Sequence, residues 1–203
     1  MRRCCAALLA LALMAASGAA FPGGTRAHPH VFLDCSLTFV FDEAGLAGLR
    51  QRWVLDEMFA AMIMDEHDAN GDGEVQPAEE ASIKKGAFDN LKNFDYFTLI
   101  EVDGNIRKPQ AAADFSASMQ DGKLVYEFTL PCRVEAGSQA RKVRVAVRDP
   151  NYYADAAFAA GTPAHEGGRG IQVELDLDEV PAWAYYGGQI IPEAALCVFR
   201  RAP

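Results

Sequence analysis

Residues 30–56 read HVFLDCSLTFVFDEAGLAGLRQRWVLD and carry the clearest secondary-structure pattern in the chain. From His30 to Asp42 apolar side chains alternate with their neighbours, and the alternation resumes from Leu46 to Asp56, with Gln51 on the apolar side. A period of two is typical of a strand with one buried face. The turn residues at 42–45 join the two segments, so the sequence predicts a β-hairpin.

After this hairpin the spacing of the apolar residues changes from every second residue to every third or fourth residue. Apolar residues at 55, 58, 59, 62 and 63 predict a short amphipathic helix, followed by a polar loop over 68–76. Pro77 suits a first helical turn, and the apolar stripe that follows predicts a second helix from Pro77 to about Asn93. The chain is therefore expected to carry a helix-loop-helix insertion at about 56–93.

Strand patterns return further along the chain, at 96–102, 114–119, 123–132, 142–148, 171–177 and 196–200. Residues 149–169, rich in Gly, Pro and Tyr, are expected to form a long loop. Short strands at this spacing favour two packed sheets. The predicted fold is α+β: a β-rich, sandwich-like domain with an inserted EF-hand-like helix-loop-helix, forming one domain over 28–203.

The beginning of the chain resembles a secretory signal peptide. Arg2 and Arg3 precede an uncharged apolar run over 4–16, and small residues follow. Cleavage is expected after Ala20 or after Ala27, and we take 1–27 as the signal peptide. The mature chain is then expected to be exported and soluble.

Composition narrows the classes of function. The 203 residues include 19 Lys and Arg against 28 Asp and Glu, a formal net charge of -9, which disfavours nucleic acid and favours a cation as ligand. No catalytic motif is found, so we expect no enzyme. Outside the signal peptide lie three cysteines, of which two can pair in an oxidising compartment, and the sequence leaves the pair open (Cys35, Cys132 and Cys197).

The loop DANGDGEVQPAE, residues 68–79, matches the twelve-residue EF-hand calcium loop. Calcium takes six to eight oxygen ligands, which a tight loop supplies when alternate side chains turn inward. The expected ligands are Asp68, Asn70, Asp72, the backbone carbonyl of Glu74, Gln76 and a bidentate Glu79. A solvated acidic turn is the alternative. Because only one such loop is present, a structural calcium site is favoured over a switch.

A second candidate metal site lies at the expected mature terminus, His28-Pro29-His30. Residues two apart in an extended chain share a face, so both imidazoles can bind one zinc, nickel or copper ion. The alternative is a pair of surface histidines that binds nothing specifically. His67 is expected to be solvated at a helix end, and His165 is a more distant candidate ligand.

Several segments together resemble a known family. They are the signal peptide, HPHVF at 28–32, RWVLDE at 52–57, the loop at 68–79, FDYF at 94–97 and DPNYY at 149–153. The chain is similar to ZevA-like bacterial periplasmic proteins, described as periplasmic components of an uncharacterised ABC-type transport system. The resemblance implies a metal-binding accessory of an inner-membrane permease for nickel, cobalt or zinc, with His28 and His30 as ligands.

Two functions follow as expectations. The first is a periplasmic accessory protein of a transition-metal transport system, with an inner-membrane metal permease as partner and calcium at the helix-loop-helix. The second is a calcium-stabilised periplasmic interaction module with no transition-metal role.

Overall fold

The structure is a computed structural model that describes residues 29–203. The predicted signal peptide at 1–27 and the predicted ligand His28 lie outside the described residues. Within 29–203, no helix is both long enough and apolar enough to cross a membrane.

The predicted hairpin forms the centre of the first sheet. Strands β1 (Val31–Phe41) and β2 (Gly45–Leu55) pair antiparallel, from Leu33 opposite Leu55 to Phe41 opposite Leu46. Four further strands complete this sheet: β5 (Ala113–Gln120), β6 (Lys123–Glu135), β8 (Ala154–Phe158) and β9 (Ala164–Gly167). The strand order is β5-β6-β2-β1-β8, and β9 pairs with β1 as well.

A second sheet packs against the first. Its order is β10-β11-β7-β3-β4, with β3 (Thr98–Val102), β4 (Asn105–Arg107), β7 (Arg141–Val147), β10 (Ile171–Glu179) and β11 (Glu193–Arg201). Apolar residues of both sheets form one buried cluster, in which the Phe41 and Phe199 rings meet edge to face at 5.0 Å. The predicted β-rich α+β fold with two sheets is confirmed.

A buried polar chain also joins the two sheets. The Trp53 indole N–H donates to Gln51 Oε1 at 2.9 Å, and Gln51 Nε2 donates to Thr98 Oγ1 at 2.9 Å. The Thr98 hydroxyl in turn donates to the Tyr96 carbonyl at 2.8 Å. Gln51 is fully buried, so these bonds satisfy an amide that would otherwise be costly in the core.

Two helices follow the hairpin, α1 (Glu57–His67) and α2 (Pro77–Ile83). Asp56 links α1 to the sheet, because one carboxylate oxygen accepts the Phe59 N–H at 2.9 Å and the other accepts the Phe32 N–H at 2.7 Å.

The prediction of one regular helix from Pro77 to about Asn93 is wrong after residue 83. A π-helical segment (Lys84–Phe88) and a 3₁₀ segment (Asp89–Phe97) follow α2. Three successive residues at 95–97 have φ near +50°, which ends the helical path. Strand β3 therefore begins at residue 98 rather than at 96.

The prediction of a loop over 149–169 is also wrong, because β8 and β9 lie inside it and pair parallel with β1. Asp149 is only 3% exposed and holds the turn that leads into β8. Its carboxylate accepts the N–H groups of Asn151, Tyr153 and Ala154. Strand β4 was not predicted either.

Candidate functional site

The loop that joins α1 to α2 bends at two glycines. Gly71 and Gly73 have φ of 72° and 78°, a region that favours glycine. Asp68 stands at the end of α1, and its two carboxylate oxygens accept the N–H groups of Gly71 at 2.7 Å and Gly73 at 2.9 Å. The first residue of the loop therefore holds the central bend in place.

Glu79 closes the loop from the other side. Its side chain is buried, with only 5% of the residue exposed. One carboxylate oxygen accepts the Ala69 N–H and the other accepts the Gln76 N–H, each at 3.0 Å. The carboxylate thus bridges the two ends of the loop and caps the first turn of α2.

The interior of the loop is occupied by amide hydrogen bonds. Asn70 Nδ2 donates to Asp72 Oδ2 at 3.0 Å and to Gln76 Oε1 at 2.8 Å, and Gln76 Nε2 donates to Asp72 Oδ2 at 2.6 Å. The hydrogen bond from the Glu74 N–H, with help from the two amides, lowers the pKa of Asp72. Asp72 is therefore a carboxylate at neutral pH.

The loop is anchored to the rest of the protein by Val75, which packs against the hydrophobic core. The structure thus brings Asp68, Asn70, Asp72 and Gln76 into one hydrogen-bonded loop, with Glu79 across its ends. Among residues 29–203, however, no three His, Cys, Asp or Glu side chains stand in an arrangement suited to hold a metal ion.

His30, the described member of the predicted histidine pair, is exposed just before β1. Its backbone N–H donates to the Tyr153 carbonyl at 2.8 Å, and the two rings lie 5.1 Å apart. The start of β1 is therefore fixed to the turn before β8, while the imidazole of His30 stays at the surface.

The other histidines lie elsewhere. His67 is buried rather than solvated, and its Nδ1 lies 2.8 Å from Ser82 Oγ on α2. His165 on β9 pairs with Phe39 of β1. Phe39 is nine residues after His30, so at the rise of an extended strand the two histidines lie about 30 Å apart. His165 therefore cannot share an ion with His30 in this structure.

The three cysteines of the described chain are all free thiols (Cys35, Cys132 and Cys197). Each is buried, and burial raises the pKa of each thiol. They act as small apolar core residues in this structure.

Comparison with known proteins gives a family but no activity. An uncharacterised 15.5 kDa protein in the trpE 3' region of Spirochaeta aurantia is 32% identical over 138 residues, which are 66% of this chain and 95% of that protein. An uncharacterised protein of Haemophilus influenzae is 26% identical over 140 residues, 68% of this chain and 66% of that protein. Residues 11–175 match the family described as "Protein of unknown function (DUF1007)". The chain belongs to this family.

Proposed function

We propose that this chain is a calcium-stabilised interaction module of the bacterial periplasm, with the ion bound by the loop at 68–79. The observation that carries the proposal is the position of Glu79, whose buried carboxylate already joins the two ends of the loop. A carboxylate at the twelfth position that binds through both oxygens is what an EF-hand loop requires.

Calcium binding requires a local rearrangement of this loop. The amides of Asn70 and Gln76 now donate to Asp72, so their oxygens must turn toward the ion in place of their N–H groups. Glu79 must exchange at least one backbone hydrogen bond for the ion. With Asp68, Asp72 and the Glu74 carbonyl, these groups supply seven hard oxygen donors when Glu79 binds through both of its oxygens.

Thermal unfolding with and without calcium tests this proposal. EF-hand loops of extracellular modules bind calcium with Kd of about 10⁻⁴ to 10⁻³ M. At 10 mM calcium the free energy of unfolding should then rise by about 1.4–2.7 kcal/mol. For a domain of this size, that corresponds to a rise in Tm of about 3–10 °C.

Two variants identify the site. Glu79→Gln should abolish the calcium-dependent rise in Tm, because one ligand oxygen and its charge are lost. Glu74→Gln is the matched control, because residue 74 is expected to bind through its backbone carbonyl, and it should keep the rise. An unchanged Tm of the parent protein in calcium and in chelator would contradict the proposal.

A second candidate function is the accessory role in transition-metal transport, beside a permease of the inner membrane. It is favoured by the exposed imidazole of His30 on an anchored backbone. Zinc and nickel titrations should then give sub-micromolar binding that the double change His28→Ala with His30→Ala removes. His165→Ala is the control and should leave that binding intact. Equal binding by the double variant, or no binding by the parent, would exclude this role.

A further inference from the structure

We propose that the outer edge of strand β10 is a docking edge, to which a partner protein adds an antiparallel strand of alternating apolar and basic residues. The proposal names the binding surface and the partner class of the interaction module, and it rests on that part of the proposed function. Calcium has no role in it, because β10 belongs to the second sheet and lies outside the helix-loop-helix.

One side of β10 has backbone groups that no strand of the described chain uses. β10 pairs with β11 along its whole length and stands at the end of its sheet among residues 29–203. In an antiparallel pair, the backbone groups of alternate residues point toward the neighbouring strand and away from it. The Val180 N–H donates to the residue just before β11, whereas the Leu177 N–H donates to the Asp176 carboxylate. The backbone groups of Val173, Leu175 and Leu177 therefore point away from β11.

The other sheet edges within residues 29–203 are short or protected. In β5 the Ala117 N–H donates to Glu80 of α2 at 3.3 Å. β4 has three residues, and β8 and β9 are separate segments of five and four residues beside β1. β10 has nine residues, no proline and an unbroken register with β11. A long and regular edge of this kind is what strand addition requires.

The apolar face of β10 is only half covered by the core. Val173 and Leu175 are half-buried, whereas the residues opposite them on β11, Phe199 and Cys197, are buried. The core therefore becomes thinner toward this edge. An added strand with apolar side chains at every second position would extend the core and cover the exposed part of these two residues.

The other face of β10 is acidic, and it determines the charge of the partner. Glu174, Asp176 and Asp178 are exposed along it at every second position, and none of them forms an ion pair with another described residue. A second copy of β10 would place carboxylates opposite carboxylates, which is destabilising. A strand with lysine or arginine at these positions gains cross-strand ion pairs instead. The acidic face therefore disfavours self-pairing and favours a basic strand.

The peptide KVKVKVK, with both ends blocked, is the probe that tests this inference. Binding to the purified protein is measured by calorimetric titration, and the parent protein should bind the peptide with a Kd below about 1 mM. The peptide EVEVEVE has the same pattern with the opposite charge. It should not bind, because its carboxylates would face those of β10.

Two N-methylated peptides distinguish strand pairing from simple charge attraction. In the antiparallel arrangement the valines lie opposite Val173, Leu175 and Leu177, so the valine N–H groups face β10. Methylation of the valine backbone nitrogens should therefore abolish binding. Methylation of the lysine backbone nitrogens keeps the same charge and alters groups that face solvent, so that peptide should bind as the unmodified one does.

Hydrogen exchange identifies the contact on the protein. With the peptide bound, the amides of Val173 and Leu175 should exchange more slowly, because they gain acceptors. The amides of Glu174 and Asp176 already face β11 and should change much less.

Two double variants test the charge requirement. Asp176→Asn with Asp178→Asn should weaken the binding of KVKVKVK about fivefold, which corresponds to about 1 kcal/mol. Asp121→Asn with Glu127→Gln is the matched control, because it removes the same charge from exposed positions in the β5–β6 hairpin, and it should bind as the parent does.

Four results would overturn the proposal. They are no binding of KVKVKVK at millimolar concentration, equal binding of the valine-methylated peptide, equal weakening by the two double variants, and slower exchange at Val173 and Leu175 in concentrated protein without peptide, which would show self-pairing. The calcium proposal is read from Tm alone. Peptide binding without a calcium effect on Tm would therefore refute the loop at 68–79 and support this edge, and the reverse result would refute the edge alone.

Discussion

Replacing Gln51 with leucine tests whether the buried polar chain holds the two sheets together. The change keeps the approximate volume of the side chain but removes both of its hydrogen bonds, to Trp53 and to Thr98. The Trp53 N–H then has no partner in the core, which costs about 1–3 kcal/mol. The loss at Thr98 is smaller, about 0.5–1.5 kcal/mol, because its hydroxyl keeps its bond to the Tyr96 carbonyl.

The expected net decrease in the free energy of unfolding is about 1–3 kcal/mol, since burial of the leucine offsets part of the loss. Urea unfolding followed by tryptophan fluorescence measures it, with all proteins in the same buffer. Gln139→Leu is the matched control, because Gln139 is exposed, and it should stay within about 0.5 kcal/mol of the parent. If Gln51→Leu also stays within 0.5 kcal/mol, the assignment of a stabilising role to this chain of hydrogen bonds is wrong.

Three other predictions follow from single contacts. Gly86→Ala should destabilise the fold by about 1–3 kcal/mol despite the better helix propensity of alanine, because a Cβ there would lie 2.7 Å from the His67 ring; a higher Tm would contradict this. Burial raises the pKa of all three thiols, and it raises that of Cys197 to about 12. In protein that lacks residues 1–27, a thiol reagent at pH 8 should therefore label no cysteine in the native state and all three in guanidinium (Cys35, Cys132 and Cys197). The hydrogen bond from the Lys142 N–H, and to a smaller extent Arg141, lowers the pKa of Asp103. The contribution of the Asp103 carboxylate to the free energy of unfolding should therefore be complete above about pH 3.9 and be lost as the pH falls through the lower folded-state pKa. Asp103→Asn should flatten that part of an acid-unfolding curve.

The hairpin and the sandwich could be predicted because their strands alternate strongly. In β1 every second residue is buried, and β2 keeps the same alternation from Leu49 to Leu55. Even Gln51, a polar residue on the apolar face, follows the pattern, and its burial is made possible by partners at 53 and 98. The alternation thus identified the buried face, although only the structure shows how the amide is satisfied.

Strands β8 and β9 could not be predicted because they have almost no pattern of their own. Their sequences are ADAAF and AHEG, and their burial is irregular. Both form by parallel pairing with β1, from Val31 opposite Ala154 to Phe41 opposite Gly167. Their formation therefore depends on a neighbour more than a hundred residues away in the sequence.

The loop at 68–79 and the neighbouring His67 differ in the same way. The loop at 68–79 is contiguous, so its spacing alone predicts a bend at Gly73, which has a positive φ, and places at the end of the loop the carboxylate of Glu79, which accepts the Gln76 N–H. The environment of His67 depends instead on Ser82 and Gly86, which α2 and the π-helical segment bring against it. A histidine next to a polar loop is expected to be solvated, and tertiary packing reverses that expectation.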